Sequence, residues 1–296
     1  MSDLQKELSF LKNKKILITG NTGFKGSWLT YIISNVTKNI YGISLREKVN
    51  STMYYNVGIK NLIKKQFFFD ISDYKKLDKT IKFIKPNYIF HLAAQSLVYK
   101  SYKETLKTWH SNLLGTLNIL EILKNYKESK NIIITSDKCY KNFEINRGYK
   151  ENDILMGDDP YSASKSCAEI AINSYINSFY NKDNFVVSCR AGNVIGGGNF
   201  SDNRLIPDIV SAHINKKPIS IRSLNSTRPW QHVLEPLFGY LSVAKKIKKK
   251  NVNQQSFNFG PSYNNSKKVK EIINRIKKQW HIKIINSKNK FKESKL

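Results

Sequence analysis

The amino-acid sequence predicts an α/β protein with a doubly wound parallel sheet and a smaller carboxyl-terminal lobe. Short apolar runs alternate with longer amphipathic segments, which is the pattern of parallel strands joined by crossover helices. The alternation loosens after residue 193, where consecutive glycines and several prolines indicate loops. We therefore expect a sheet-bearing domain over residues 1–190 and a lobe over residues 191–296, with some exchange of segments between them.

The periodicity of apolar residues places the individual elements. Strands are predicted at 15–19, 40–44, 66–69, 87–92, 131–135 and 185–189. Helices are predicted at 27–36, 74–84, 105–124 and 161–180. Pro86 ends the second of these helices, because proline lacks the N–H group that a helix needs.

The formal charge of +28 raises the question of nucleic-acid binding, since clustered lysines and arginines gain affinity from phosphate backbones. The lysines are scattered along the whole chain, and the densest run, 245–250, resembles the solvated end of a helix. No recognition motif accompanies the charge, so we interpret it as a composition bias and expect no nucleic-acid partner. A positive field would still attract an anionic small molecule.

Membrane and metal sites are not predicted. No apolar segment reaches the roughly eighteen residues that a membrane span needs, and the first residues are polar, so we expect a cytoplasmic protein without a membrane partner. The three cysteines are widely spaced and lack metal-ligand spacing with the five histidines. We expect neither a disulfide framework nor a bound metal.

A glycine-rich turn links the first strand to the first helix. Its residues are Gly20, Asn21, Thr22, Gly23, Phe24, Lys25 and Gly26. Glycines there let the backbone approach a pyrophosphate, which the N–H groups at the start of the helix can bind. Glycines also serve plain turns, but the strand–turn–helix context predicts a dinucleotide site of the Rossmann type.

The residues after the second strand bear on the choice of dinucleotide. An acidic side chain there accepts hydrogen bonds from ribose hydroxyls, whereas an arginine receives a 2′-phosphate. Arg46 and Glu47 leave both possibilities open.

Tyr161 and Lys165 are four residues apart, which places them one turn apart on the same helix face. An ammonium beside a phenol favours the phenolate, so the tyrosine can accept a proton near neutral pH. Such pairs also occur by chance on helix surfaces. Here the pair follows the glycine turn and a strand that ends at Thr135 and Ser136, and we interpret Ser136, Tyr161 and Lys165 as catalytic.

Taken in order, these motifs resemble the extended short-chain dehydrogenase/reductase family, and within it the CDP-glucose 4,6-dehydratases. Asp137 and Lys138 best distinguish this group from the other dehydratases of the family, because most of those carry Asp-Glu at these two positions. Further similar stretches are 20–29, 91–95, 190–198, 202–208 and 228–236. The resemblance extends from Lys14 to Pro261.

The resemblance implies an NAD-dependent enzyme of deoxysugar and surface-polysaccharide biosynthesis that acts on CDP-glucose. Such an enzyme oxidises C4 of the sugar, eliminates water across C5 and C6, and returns the hydride, so it needs no external reductant and NAD is preferred. Asp137 would protonate the departing C6 hydroxyl while the Lys138 region assists removal of the C5 proton. An ordinary ion pair between the two residues is the alternative.

The resemblance also implies the binding residues. Those for NAD are Gly20, Thr22, Gly23, Phe24, Lys25 and Gly26 of the glycine turn, together with Arg46, Asp70, Ile71, Leu92, Ala93, Ala94, Gln95, Thr135, Tyr161 and Lys165. Those for the sugar nucleotide are Gln95, Ser96, Asn193, Arg204, Arg228 and His232. Arginine suits phosphate because its guanidinium makes charge-assisted, often bidentate bonds, although each arginine could form a structural ion pair instead. Asp70 would contact the adenine or, alternatively, cap the next helix.

The chain departs from the pattern of the subfamily in two places. Asn21 stands where the subfamily usually has histidine, and we expect little effect because the backbone holds the phosphate there. The residues 291–296 resemble the beginning of a further conserved stretch, so we expect the lobe to be cut short.

Relatives commonly pair through two long helices, here 105–124 and 161–180, which implies a homodimer or homotetramer.

Other functions stay open at this point. A dehydratase or epimerase that acts on GDP-mannose or a UDP-sugar would keep the tyrosine and the lysine. A non-catalytic relative would bind nucleotide only.

Overall fold

The computed structural model describes residues 2–47, 53–201, 203–221, 223–249, 251–262 and 266–286. Residues 291–296, where an incomplete conserved stretch is predicted, lie outside this range, as does Asp202 of the stretch 202–208. The strands are β1 (Ile16–Thr19), β2 (Ile40–Ser44), β3 (Lys65–Phe68), β4 (Tyr88–His91), β5 (Lys130–Ile134), β6 (Phe185–Ala191), β7 (Val194–Ile195), β8 (Ile219–Ile221), β9 (Thr227–Arg228), β10 (Gln231–His232), β11 (Ser256–Phe259), β12 (Lys267–Lys268) and β13 (Ile284–Asn286).

The helices alternate with the strands through most of the chain. They are α1 (Asp3–Glu7), α2 (Phe24–Ser34), α3 (Met53–Asn56), α4 (Tyr74–Ile84), α5 (Val98–Lys103), α6 (Thr105–Trp109), α7 (Gly115–Asn125), α8 (Pro160–Ser178), α9 (Leu205–Ile214), α10 (Leu234–Lys246) and α11 (Val269–Lys277).

The largest sheet has seven strands in the order β11-β6-β5-β4-β1-β2-β3. Every neighbouring pair is parallel. The order runs outward from β1 in both directions, so the chain switches sides between β1 and β4. The predicted Rossmann-type, doubly wound parallel sheet is therefore confirmed, and each of the six predicted strands lies in it within two residues of its expected bounds. The seventh strand, β11, was not predicted.

The sheet is buried on both faces, since successive side chains of a strand point to opposite sides. On one face Ile18 packs in a cluster with Tyr240 of α10. On the other face Leu17 packs in a cluster with Leu77 of α4 and Ile119 of α7. Because both layers are apolar, the ends of the strands are where polar side chains can gather.

The smaller lobe has its own apolar cluster, formed by α9, β8 and α11 around Ile209, Ile219 and Ile273. Strands β8 and β13 pair in parallel beside it, and β9 pairs with β12 in antiparallel fashion. Between these segments the chain returns to the large sheet with α10 and β11. Strand β6 ends at Ala191, next to the predicted boundary at residue 190, which stays a prediction.

The described residues contain no helix that is both long and apolar enough to cross a membrane. Within the same ranges, no three His, Cys, Asp or Glu side chains cluster in a way that could hold a metal ion. Cys139 and Cys189 are buried, Cys167 is half-buried, and all three are free thiols.

The predicted helix 105–124 is interrupted, which corrects the expectation of one continuous helix. A π-helical segment, His110–Leu114, separates α6 from α7. Within it the buried Asn112 accepts the N–H of Gln95 at 2.8 Å. Its amide donates to the Gln95 carbonyl at 3.0 Å and to Ser164 Oγ on α8 at 2.9 Å. These tertiary hydrogen bonds hold the wider turn, and such segments are common at functional sites.

We expect Asn112→Ala to lower the free energy of unfolding by about 2–3 kcal/mol, because both backbone groups of Gln95 lose their buried partner. Urea denaturation measures the change. The matched control is Asn177→Ala on the exposed side of α8, where the side chain bonds Asn173 alone among the described contacts and the expected change is below about 0.5 kcal/mol. Equal losses in the two variants would contradict the assigned role of Asn112.

Candidate active site

A cavity of 1230 Å³ lies at the carboxyl ends of the central strands, where open parallel sheets bind ligands. The glycine turn and the ends of β2 to β5 line one side of it, and residues of the smaller lobe line the other. Of the residues predicted for catalysis, cofactor and substrate, only Arg46 and His232 are not part of this lining. The structure therefore brings the other predicted residues to one place.

The glycine turn packs against the end of β4. Gly20 has a φ of +73°, and a Cβ there would lie 2.8 Å from the backbone of Ala93. A Cβ on Gly26 would overlap the carbonyl oxygen of Gly20. Helix α2 begins directly behind the turn with Gly23 as its N-cap, so its first N–H groups face the cavity edge. This backbone cradle fits the pyrophosphate of a dinucleotide.

Asn21, at the position where histidine was expected, has a fully buried side chain. Its amide donates to Gln66 Oε1 at 2.6 Å, and Gln66 returns a hydrogen bond to Asn21 Oδ1 at 3.3 Å. Asn21 is not part of the cavity lining. The side chain thus ties the turn to β3, and its small effect on phosphate binding stays a prediction.

The two residues after β2 separate in space. Glu47 lines the cavity, whereas the Arg46 guanidinium lies over the Phe68 ring, 4.7 Å from its centroid. Farther along, Asp70 lines the cavity and accepts the N–H of Ser72 at 2.9 Å. The cap of α4 is Asp73, so the alternative role of Asp70 as the helix cap is wrong.

Tyr161 lies in the first turn of α8, where three local features fix it. Asp159 accepts the Tyr161 N–H at 3.0 Å as the N-cap, and Pro160 begins the helix. The Tyr161 side chain hydrogen-bonds that of Ser136. Ser136 Oγ in turn donates to Asp137 Oδ1 at 3.0 Å and accepts the Lys138 N–H at 3.2 Å. The tyrosine, the serine and the acid therefore form one connected group.

Burial shifts the pKa values of the two helix residues in opposite directions. It raises the pKa of Tyr161, against the effect of the Ser136 hydrogen bond. It lowers the pKa of Lys165 to about 8, against the effect of the nearby Glu169 carboxylate. In the absence of a ligand, Tyr161 is a neutral phenol at pH 7 and Lys165 is mostly charged. An additional positive charge beside the phenol would favour the phenolate.

Lys25 and Arg204 lie at the same end of the cavity as the Asp137 carboxylate. The carboxylate lies against Gly192, where a Cβ would come within 2.9 Å of Oδ2. Burial and the Arg204 charge together lower the pKa of Lys25 to about 8, and the Asp137 charge opposes both effects. Burial also lowers the pKa of Arg204, although the Tyr161 side chain opposes this effect, and its Nη2 donates to the Ser96 carbonyl at 3.0 Å. The Tyr161 end of the cavity is thus suited to an anionic or strongly polar ligand.

The remaining predicted substrate residues differ in their surroundings. Arg228 lines the cavity from β9 and donates to the Thr227 carbonyl at 2.9 Å. The Gln95 side chain is held by Leu97 and Thr108 at distances of 2.6 to 3.0 Å. His232 is exposed, and its Nδ1 accepts the Leu234 N–H at 3.3 Å. The binding roles of Arg46 and His232, which lie outside the lining, stay predictions without support from their position.

The sequence analysis missed a buried polar chain beneath the cavity. Thr19 Oγ1 and His91 Nδ1 are 2.8 Å apart, and Thr19 Oγ1 accepts the Ala93 N–H at 3.1 Å. His91 Nε2 and Thr116 Oγ1 are 3.3 Å apart. Burial lowers the pKa of His91 to about 3, so the ring is neutral. The signal in the sequence was a polar residue at the end of each apolar strand, Thr19 and His91.

Comparison with known proteins agrees with this geometry. Residues 17–295 match the family described as GDP-mannose 4,6 dehydratase. The chain is 40% identical over 280 residues to the CDP-glucose 4,6-dehydratase of Salmonella typhimurium, an alignment that covers 92% of this chain and 78% of that enzyme.

Solved structures share the fold. Pal from Bacillus thuringiensis superposes with a TM-score of 0.81 at 20% identity, covering 93% of this chain and 86% of Pal. The dTDP-glucose 4,6-dehydratase of Bacillus anthracis in complex with NAD gives a TM-score of 0.73 at 22% identity, covering 93% of this chain and 85% of that enzyme. The match over residues 17–295, together with the ordered motifs and the sheet, shows that the chain belongs to the GDP-mannose 4,6 dehydratase family, within the extended short-chain dehydrogenases/reductases.

Proposed function

We propose that the protein is an NAD-dependent CDP-glucose 4,6-dehydratase, which converts CDP-glucose to CDP-4-keto-6-deoxyglucose and water. One observation carries the proposal: the Tyr161 phenol, Ser136 and the Asp137 carboxylate form one hydrogen-bonded group that faces the cavity beside the glycine turn. The similarity to the Salmonella enzyme supports the choice of nucleotide sugar.

The residues at the cavity fit NAD. The turn at Gly20 and Gly26 leaves space for backbone N–H groups to meet a pyrophosphate, and the carboxylate of Glu47 can accept ribose hydroxyls. NAD held there would supply the hydride acceptor for oxidation at C4 of the sugar and the hydride donor for C6. The reaction has no net redox change, so the enzyme requires no separate reductant.

Tyr161 takes the proton of the C4 hydroxyl in the first step. Burial raises the pKa of the phenol, and the positive charge of an oxidised nicotinamide ring, together with the charged Lys165, would favour the phenolate. Ser136 hydrogen-bonds the Tyr161 phenol. From this position it would also hold the substrate hydroxyl in line. The product of this step is a ketone at C4, which makes the C5 proton acidic.

Asp137 donates a proton to the departing C6 hydroxyl in the second step. Its position between Gly192 and the Ser136 hydroxyl directs the carboxyl group into the cavity. Lys138 lies beside it in the lining and assists removal of the C5 proton. A neutral lysine can take the C5 proton as the base, whereas a charged one would stabilise the enolate by its field and leave the C5 proton to a water molecule that it orders.

The sugar nucleotide is held by Asn193, Arg204 and Arg228 on the lobe side of the cavity. A guanidinium suits a diphosphate because it offers several donors in a fixed plane. Arg204 is close enough to Tyr161 to affect its pKa, so it would bind the part of the ligand nearest the reacting carbon.

The proposed enzyme acts in the cytoplasm as a homodimer or homotetramer. Exposed apolar side chains lie on the two helices expected to pair, including Leu106 on α6 and Ile170 on α8, and Phe179 follows directly after α8. Pairing of these helices between two copies would cover that surface.

The purified protein loaded with NAD is expected to convert CDP-glucose to a 4-keto-6-deoxy sugar. Mass spectrometry detects the loss of water, and the keto sugar absorbs in alkali. Turnover of GDP-mannose or of a UDP-sugar, with CDP-glucose inert, would assign the protein to a sister activity. A change of sugar configuration without water loss would indicate an epimerase.

Tyr161→Phe is expected to lower kcat by about 10²–10⁴-fold, since the base for the C4 hydroxyl is lost while the binding cavity is kept. NAD affinity, measured by calorimetry, should stay within twofold of the original. Tyr31→Phe on α2, where the ring is 50% exposed, is the matched control with unchanged turnover. Full activity of Tyr161→Phe would rule the mechanism out.

Asp137→Asn is expected to slow water loss by about 10²–10⁴-fold while oxidation at C4 persists, because only the acid for the C6 hydroxyl is removed. Rapid-mixing absorbance of the reduced cofactor follows the first step, and mass spectrometry follows the second. The exposed Asp183→Asn is the control. Water loss at the original rate would show that Asp137 is not the acid.

A further inference from the structure

A buried carboxylate, Glu169, lies two turns after Tyr161 and one turn after Lys165 on the same face of α8. Its side chain is 1% exposed. Glu169 Oε2 pairs with Arg190 Nη2 of β6 at 2.7 Å and accepts the Ser188 hydroxyl at 2.9 Å. Glu169 Oε1 accepts the hydroxyl of Thr135. Both oxygens are therefore used, and they join α8 to two neighbouring strands.

The contact with Thr135 reaches the catalytic group directly. Thr135 immediately precedes Ser136, which hydrogen-bonds Tyr161 and Asp137. The Glu169 carboxylate thus connects the helix that carries Tyr161 to the strand end that carries Ser136. A shift of α8 along β5 would break this contact and would also change the distance between the two catalytic hydroxyls.

Arg190 extends the connection to the outer strand and a loop. Its Nη1 donates to the Tyr140 hydroxyl at 2.5 Å and to the Glu151 carbonyl at 2.9 Å. The Tyr140 hydroxyl donates to Asn258 of β11 at 2.7 Å. The Glu169 carboxylate is therefore held from several sides.

The charged and titratable groups around Lys165 come from several elements. They are Lys25 of α2, His91 of β4, Cys139 in the turn after β5, and Tyr161 and Glu169 on α8 itself. His91 is neutral, because burial lowers its pKa to about 3, and burial raises the pKa of the Cys139 thiol so that it too is neutral near pH 8. Lys25 is a cation and opposes a second positive charge. Glu169 is consequently the anion of this group that favours the charged form of Lys165 at neutral pH.

We propose that Glu169 is a positioning residue of the active site, which holds α8 in register with the Ser136 strand end and keeps a carboxylate one turn from Lys165 on the same helix face. A purely structural ion pair with Arg190 is the alternative. The link from Lys165 to turnover rests on the proposed dehydratase function, whereas the effect of Glu169 on the charge of Lys165 does not.

The first measurement needs no substrate. Competitive acetylation of the full-length protein by acetic anhydride over a range of pH, read by mass spectrometry of the Lys165 peptide, gives the midpoint at which this lysine becomes reactive. Glu169→Gln is expected to lower that midpoint by about one pH unit or more, because the loss of a nearby negative charge disfavours the charged ammonium. An unchanged midpoint in a folded Glu169→Gln protein would overturn the proposal.

Glu169→Gln leaves Arg190 buried without a counter-ion and can prevent folding. The double variant Glu169→Gln/Arg190→Met removes both charges, and a purely structural pair predicts that it keeps the original Lys165 midpoint. The proposal predicts that the midpoint stays lowered although the melting temperature recovers. Glu121→Gln is the matched control, because this carboxylate accepts the Tyr175 hydroxyl of α8 at 2.8 Å and is expected to leave the midpoint unchanged.

The second measurement is the pH profile of kcat/KM with CDP-glucose. Turnover requires the charged form of Lys165, so its loss at high pH should begin at lower pH in the double variant than in the original protein. A displaced labelling midpoint with an undisplaced profile would remove the catalytic part of the proposal. Absence of turnover in the original protein would instead count against the dehydratase function and leave the labelling result intact.

Discussion

The buried ion pair between Glu169 and Arg190 is the interaction on which the arrangement of the catalytic helix depends. Placing a carboxylate and a guanidinium in a protein interior is costly, and it is tolerated here because Thr135 and Ser188 donate to the remaining lone pairs. Removing one partner from such a pair typically costs about 3–5 kcal/mol. The helix therefore has one favourable position along the sheet, and this position determines where Tyr161 lies.

The cavity is lined by this fixed helix and contains side chains of both charges. Burial lowers the pKa values of Lys25 and Lys165 to about 8, and Arg204 and Asp137 lie near Lys25. Ammonium groups with such pKa values keep most of their charge at pH 7 but respond to any ligand that changes their surroundings. An anionic nucleotide sugar would raise the pKa values of both groups, and the positive charge of the whole chain would attract it.

The sequence predicts those parts of the fold that depend on local spacing. The glycine turn, the Tyr161–Lys165 pair and the first six strands of the sheet follow from periodicity and from residues close in the chain. The π-helical segment around Asn112 could not be predicted, because its wide turn is held by Gln95 and by Ser164, far away in sequence. The role of Glu169 was hidden for the same reason. A glutamate on an amphipathic helix is usually exposed, and only the packing of two strands against it shows otherwise.

Strand β11 has a consequence for the synthesis of the protein. Residues Ser256–Phe259 pair with Ser188–Ala191 and form one outer edge of the large sheet. Until the ribosome has released this segment, β6 presents unpaired backbone groups along one side. A nascent chain that stalls before residue 256 would therefore leave the edge of β6 open to pairing with strands of other chains.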